Sequence, residues 1–320
     1  MQPSADRGPR ADLPHDQRSH EFTQETTAAG VRSRTTVVIA TRNRFPELLR
    51  TLRQLALLAP PPPVIVVDNA SEDGTARAVR QATPWVHVIP LRRNWGAVAR
   101  NLGVHRAQTP YVAFSDDDSW WAPGALSRTE WAFDQYPRLG LIAARIVVGP
   151  GERTDPLSAL MAESPLGRPD GLPWPSVLGF AACSAVVRRQ AFMNADGFNR
   201  LLFFVGEEQL LAYDLAAAGW ALAYVDNVVA HHHPSPHRPA SAHRRQLQWR
   251  NSTLVAWMRR PPGVALAATR TLAQAARTDA VARRALIGAL GRLPAALAQR
   301  RALPEEVERQ ITVLEEAQGT

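Results

Sequence analysis

Between Thr35 and Val148, short runs rich in apolar and β-branched residues alternate with stretches of helical character. The runs are Thr35 to Ala40, Val64 to Asp68, Val86 to Leu91, Tyr111 to Phe114 and Leu141 to Val148. Pro46 opens a helical stretch to Leu58, Gly74 another to Ala82, and Gly96 to Ala107 forms a third. Each has a length suited to a crossover, so the pattern predicts an α/β fold with a mainly parallel wound sheet. From Gly149 to Pro175 the chain is rich in Pro and Gly without a clear period and reads as a long loop, a frequent setting for a lid. Leu178 to Val187 follows as a strand, Glu207 to Ala218 as a helix ending at Gly219, and Ala221 to Val225 as a strand. From Ala242 onward the sequence is helical, with breaks expected at Pro261, Pro262, Pro294 and Pro304. The expected organisation is a disordered polar tail (1–33), a wound α/β domain (34–240) and a C-terminal helical appendage (241–320), either packed on that domain or hanging from it.

Ligands of wound sheets sit beyond the carboxyl ends of the strands. Those positions are polar here: Thr41, Arg42 and Asn43 after the first run, Asp68 and Asn69 at the second, Asn94 after the third, and Asp116, Asp117 and Asp118 after the fourth. Three successive carboxylates at the mouth of an apolar strand repel one another unless a cation is close. Mg²⁺ and Mn²⁺ take oxygen ligands and commonly bridge one or two carboxylates to substrate phosphates. A solvated acidic turn, helped by Ser119, is the alternative.

Composition narrows the function. With 320 residues, 45% of them hydrophobic, the chain can bury a real core. A single cysteine, Cys183, rules out an intrachain disulfide or a thiolate cluster, which makes a cytoplasmic setting the default expectation. No signal-peptide pattern or membrane-spanning run is evident, leaving peripheral contact at the inner membrane face as the way to meet a bilayer. All 37 basic residues are arginine, and they are spread along the chain, so the net charge of +8 does not point to nucleic acid. The absence of lysine removes Walker-type phosphate loops, protein kinases and Schiff-base chemistry.

Four ordered segments carry a resemblance: Thr36-Val-Val-Ile-Ala-Thr-Arg-Asn-Arg44, Val66-Val-Asp-Asn-Ala-Ser-Glu-Asp-Gly74, Asn94-Trp-Gly-Ala-Val-Ala-Arg-Asn101 and Phe114-Ser-Asp-Asp-Asp118. Together they resemble glycosyltransferase family 2, and the likeness runs from about Thr35 to His233. The resemblance implies a GT-A fold and a nucleoside-diphosphate sugar donor, typically with a pyrimidine base. It implies that Thr41 and Arg42 line the nucleotide pocket and that Asp68 accepts from the base. Arg100 would face the diphosphate, where a guanidinium offers paired donors. Asn94 falls in the same segment, although with Gly96 it could equally form a turn. The triplet would supply Asp117 to ribose or metal, Asp118 to metal, and Asp116 as a second ligand. A divalent metal, Mg²⁺ or Mn²⁺, is thus implied, and the acceptor would be a glycan, a lipid-linked species or a small molecule.

The segment from Gly206 to Trp220 is similar to the family's Glu-Asp motif, with Glu208 where aspartate is usual. A carboxylate there can take the proton of an acceptor hydroxyl in an inverting transfer, with Glu207 as its neighbouring catalytic candidate. Both residues would also favour a helix N-terminus through its dipole. Among His231, His232 and His233, the resemblance assigns His231 to the metal, while alternation in an extended chain puts His231 and His233 on one face and His232 on the other. Trp120, Trp121 and Trp174 could stack on sugars or pack in the core. The stretch with Trp249, Trp257, Arg259, Arg260 and Val264 to Ala268 could lie on an anionic membrane or pack against the domain. A nucleotidyltransferase and a non-catalytic sugar-nucleotide-binding protein are the alternative functions. The first lacks its Gly-rich loop here, and the second is suggested only by Glu208.

Overall fold

The computed structural model describes residues 32–169, 171–235 and 241–319, so the expectation of a disordered tail falls, but for its last two residues, outside the described residues. One sheet organises the rest. Its strands are β1 (Thr35–Thr41), β2 (Val64–Asp68), β3 (His87–Pro90), β4 (Tyr111–Ser115), β5 (Ser119–Trp121), β6 (Leu139–Val148), β7 (Arg153–Thr154), β8 (Ala185–Arg188) and β9 (Ala221–His232). The order is β3-β2-β1-β4-β8-β6-β9-β5, with β7 on β6. β1 to β4 pair in parallel as the apolar pattern predicts, as do β6 and β9. β8 runs antiparallel between β4 and β6, and β5 antiparallel to β9.

The alternation of side chains along β1 divides the core in two. Val37 and Ile39 pack with Leu48, Leu52 and Leu55 of α1 (Phe45–Ala56), Val79 of α2 (Thr75–Ala82) and Phe133 of α4 (Ala125–Gln135). Val38 faces the other way, toward Val104 of α3 (Ala99–Arg106), Phe192 of α6 (Arg189–Asn194), and Leu211 and Leu215 of α7 (Glu207–Ala217). Each fully buried leucine contributes about 1.5–3 kcal/mol over its exposed state. Pro46 in the first turn of α1 fits a position whose N–H has no helical partner. α3 lies so close to β1 that a Cβ on Gly103 would come within 2.4 Å of Val38 Cγ1, and this approach carries Arg100 to the strand ends.

Two expectations change. Leu178 to Val187 is extended only at β8, because the stretch before it turns through the 3₁₀ segment Ala182–Ser184. The loop after β6 holds β7 and α5 (Pro156–Ala162), whose first turn is capped by Asp155 accepting from Leu157 N–H.

The C-terminal helices are α8 (Ser241–Arg259), α9 (Pro262–Ala275), α10 (Ala280–Leu290), α11 (Leu293–Ala298) and α12 (Glu305–Gly319). They are packed on the domain: Leu210 and Tyr213 of α7 share a cluster with Leu254 and Met258 of α8, Ala296 of α11, and Val307 and Ile311 of α12. Arg259 is 2% exposed and reaches Asp214 on α7 with two bonds of 2.5 and 2.9 Å. Arg260 pairs with Glu308 and Glu315, and Trp257 Nε1–H donates to Thr269 Oγ1. The arginines and Trp257 that could have met a membrane are therefore used in packing.

Candidate active site

The loops at the ends of β1 to β3 are tied together by short polar side chains. Asn43 Oδ1 accepts from Glu72 N–H, and Ser71 Oγ accepts from Asn43 N–H. Asp68, at the end of β2, is buried and accepts from the hydroxyl and N–H of Ser71. Asn69 accepts from Trp95 N–H at 2.7 Å and donates to Gly96 O at 3.0 Å, while Asn94 Oδ1 accepts from Gly96 N–H at 2.9 Å. Asn94 is thus part of a turn, the alternative that the sequence left open. Arg42 reaches Glu72 at 3.3 Å on the exposed rim. Thr41 points inward, its hydroxyl donating to Asp117 Oδ2 at 3.0 Å.

The three aspartates diverge. Asp116 Oδ1 takes a 2.5 Å bond from Arg100 on α3. Asp117 is held by Thr41 and by Arg44 at 3.3 Å; burial, opposed by Arg44 and reinforced by Asp116 and Asp118, pushes its pKa up to about 7. Asp118 accepts from Ser235 N–H at 3.0 Å and lies 3.5 Å from His232 Nε2. Burial would raise its pKa, but the bonds from His232 and Ser235, with the charges of His232 and Arg44, hold it below the ordinary value. Sequence reasoning gave no role to Arg44, although it closes the first of the four segments that carry the family resemblance.

The histidines sort by alternation along β9. Because β5 and β9 pair antiparallel, Ser119 stands opposite His232 and Trp120 opposite His231. His232 therefore faces Asp118. His231, the expected metal ligand, turns to the other side, where its Nδ1 is 3.6 Å from Glu152 and its ring stacks on Trp120. His233 meets the same Trp120 ring at 4.5 Å, and all four residues line a cavity of about 300 Å³. Trp121 is core, and Trp174 packs on the same cluster against Tyr136. Among the described residues, no three His, Cys, Asp or Glu side chains converge into a metal-holding group, so Asp116, Asp118 and His231 do not come together.

A second convergence involves α7. Glu207 and Glu208 begin this helix, after Gly206 in the left-handed region at φ 89°. Arg100, only 6% exposed, sits in the field of Asp116, Glu207 and Glu208; burial would lower its pKa, but the three carboxylates raise it. Glu208 accepts from Ala182 N–H; burial raises its pKa against the pull of Arg100. Burial and the charge of Glu208 raise the pKa of Glu207, whose Oε2 has no hydrogen-bond partner among the described residues. Cys183 lies among Asp116, Asp118 and Glu208, which with burial raise its thiol pKa, leaving it an inert packing residue. One cation thus serves three carboxylates from two strand and helix ends, an arrangement that can bind a diphosphate and hold a proton acceptor beside it.

Residues 36–195 match the profile of the family described as Glycosyl transferase family 2. The chain belongs to this family. It is 30% identical over 248 residues to the N-acetylglucosaminyl-diphospho-decaprenol L-rhamnosyltransferase of Mycobacterium tuberculosis, covering 64% of this chain and 78% of that protein. A shorter match, 42% over 69 residues, joins it to a putative teichuronic acid biosynthesis glycosyltransferase of Bacillus subtilis, covering 20% of this chain and 27% of that one. Among solved structures, residues 1–349 of S. aureus TarS in complex with UDP-GlcNAc superpose with TM-score 0.58 at 17% identity, over 86% of this chain and 83% of that one. A mannosyltransferase from Pyrobaculum calidifontis, in complex with GDP-Man and Mn²⁺, gives TM-score 0.54 at 20% identity, over 91% and 76%. The fold of this family 2 glycosyltransferase is accordingly the GT-A fold that its sequence resemblance implied.

Proposed function

We propose that this glycosyltransferase moves a sugar from a nucleoside-diphosphate sugar to an acceptor hydroxyl with inversion at the anomeric carbon. The observation that carries the reading is the convergence of Arg100 with Asp116, Glu207 and Glu208, a phosphate-binding cation beside a buried pair of carboxylates. Thr41, Arg42 and Asp68 border the nucleotide, with Asp68 accepting from a base for which a pyrimidine is favoured. Asn94 shapes the turn below it, and Asp117 addresses the ribose. Arg100 meets the diphosphate.

Glu208 takes the proton from the acceptor O–H as that oxygen forms its bond to the anomeric carbon. The bond from that carbon to the diphosphate oxygen breaks on the opposite face, and the nucleoside diphosphate leaves with the electron pair. Burial raises the pKa of both carboxyls, and the charge of Arg100 opposes that rise at Glu208, drawing it toward the proton-accepting form. A divalent cation, Mg²⁺ or Mn²⁺, would be held by Asp118 and His232, which offer an oxygen and an imidazole 3.5 Å apart, with the donor's phosphate oxygens completing the ligand set. Bound there, it would supply positive charge against the diphosphate. In this account His232 takes the role first expected of His231.

The mycobacterial relative is named for a polyprenyl-diphosphate acceptor, which supports a lipid-linked acceptor here and with it peripheral membrane contact from the cytoplasmic side. Among the described residues no helix is long and apolar enough to cross a membrane. The test is nucleoside-diphosphate release from uridine, thymidine and guanosine diphosphate sugars, with acceptor, in Mn²⁺ and in EDTA. Release that needs metal and is lost in Asp118→Ala supports the reading. Pyrophosphate release would instead indicate a nucleotidyltransferase, and binding without turnover a non-catalytic protein.

A further inference from the structure

The segment entering the carboxylate pair is under backbone strain. Phe203, Val205 and Gly206 have φ of 67°, 70° and 89°, and the left-handed region is costly for a β-branched valine. Such a segment keeps its shape only when its surroundings over-determine it.

Two elements do so. On one side Phe203 O accepts from Ala97 N–H at 2.7 Å, where Gly96 lies so close that a Cβ would stand 2.1 Å from the same oxygen. On the other side stands Asn251 of α8, fully buried. Its Nδ2 lies 3.0 Å from Leu202 O, 2.9 Å from Phe204 O and 2.5 Å from Val205 O. The orientation of this amide is set by Arg250, whose Nε donates to Asn251 Oδ1 at 2.8 Å and which has no acceptor to offer. Arg250 Nη2 also donates to Leu202 O at 2.8 Å. Burial and the nearby Arg292 push the Arg250 pKa down to about 10, still charged at neutral pH.

We propose that Asn251, oriented by Arg250, is a positioning residue for the reaction: it holds the 202–206 segment so that Glu207 and Glu208 face Arg100. This rests on the functional reading above, since only then do Glu207 and Glu208 have a task. The C-terminal helices thereby become part of the catalytic apparatus, although none of their side chains is placed against substrate. Asn251 itself touches none of the loops of Thr41, Asp68 or Asn94, and the segment it holds meets the Asn94 turn only through Phe203 at Gly96 and Ala97, so its loss falls mainly on turnover.

Asn251→Asp tests this. The aspartate keeps size, burial and a partner for Arg250, but offers no donor to the three carbonyls. Leu272→Ala, in the cluster between α9 and α10, lowers stability without touching the segment. Because misplacement of a reacting group by about 1 Å can cost on the order of 100-fold, kcat of Asn251→Asp is expected to fall about 10- to 100-fold. Its donor KM stays within about twofold, and Leu272→Ala keeps its kcat. Hydrogen exchange at the amides of 203–208 speeds up in Asn251→Asp alone. An unchanged kcat or exchange in Asn251→Asp, or an equal loss in Leu272→Ala, overturns the proposal. If the wild-type protein turned over no donor at all, the functional reading would fail, and the exchange data would still decide whether Asn251 holds the segment.

Discussion

Replacing Glu208 with glutamine probes the chemistry with little disturbance of the structure. The amide oxygen can still accept from Ala182 N–H, and Arg100 keeps its 2.5 Å bond to Asp116. What disappears is the proton acceptor, and general-base catalysis is worth about 10²- to 10⁴-fold, or about 2.7–5.4 kcal/mol of barrier. Folding should change little, because burial already raises the Glu208 pKa, so that the folded state favours an uncharged group there. The sign of the pH effect follows. A carboxyl whose folded pKa lies above its unfolded value contributes most at low pH and loses that contribution as pH rises through the interval. For Glu207 the interval runs from the ordinary carboxylate range to about 8. The wild-type protein should therefore lose stability across it, and Glu208→Gln, which removes the neighbouring charge, should lose less. Single-turnover transfer by rapid quench, nucleotide affinity by calorimetry and Tm against pH measure these quantities. Transfer within about threefold of wild type, in a folded variant with normal nucleotide affinity, would refute the general-base assignment.

Three other substitutions address separate parts of the account. His232→Ala should weaken Mn²⁺-dependent turnover by at least about 10- to 100-fold in apparent metal affinity, while His231→Ala changes it little, as a Mn²⁺ titration of activity would reveal. Asp68→Ala should raise the nucleotide Kd without altering the Mn²⁺ requirement, read by calorimetry with free nucleoside diphosphates. Gly103→Ala forces a methyl against Val38 and should cost about 1–3 kcal/mol in urea unfolding.

The parallel half of the fold was legible because each strand is a compact apolar run with polar residues at its carboxyl end, and those ends place Thr41, Asp68 and the aspartates correctly at one rim. Arg100 was legible only through the family resemblance of its segment, and the close approach of α3 to β1 at Gly103 that carries it to the site emerged with the structure. The antiparallel additions were not. β5 is three residues long, and β8 is the last part of an apolar stretch whose beginning bends into the site. The choice between His231 and His232 depended on the pairing of β9 with β5, and periodicity alone could say only that the two face opposite ways. Asn251 had no signal at all, since a single polar residue inside a long helix reads as surface until its neighbours are known.

The most direct test of the central claim is the anomeric configuration of the sugar after transfer, read from the coupling of its anomeric proton by NMR. With an accepted donor, metal and acceptor hydroxyl, the account predicts a glycosidic product of inverted configuration with one nucleoside diphosphate released per linkage formed. Retained configuration would contradict the single displacement assisted by Glu208, and a nucleotide sugar left intact under every donor and metal condition would contradict transfer itself.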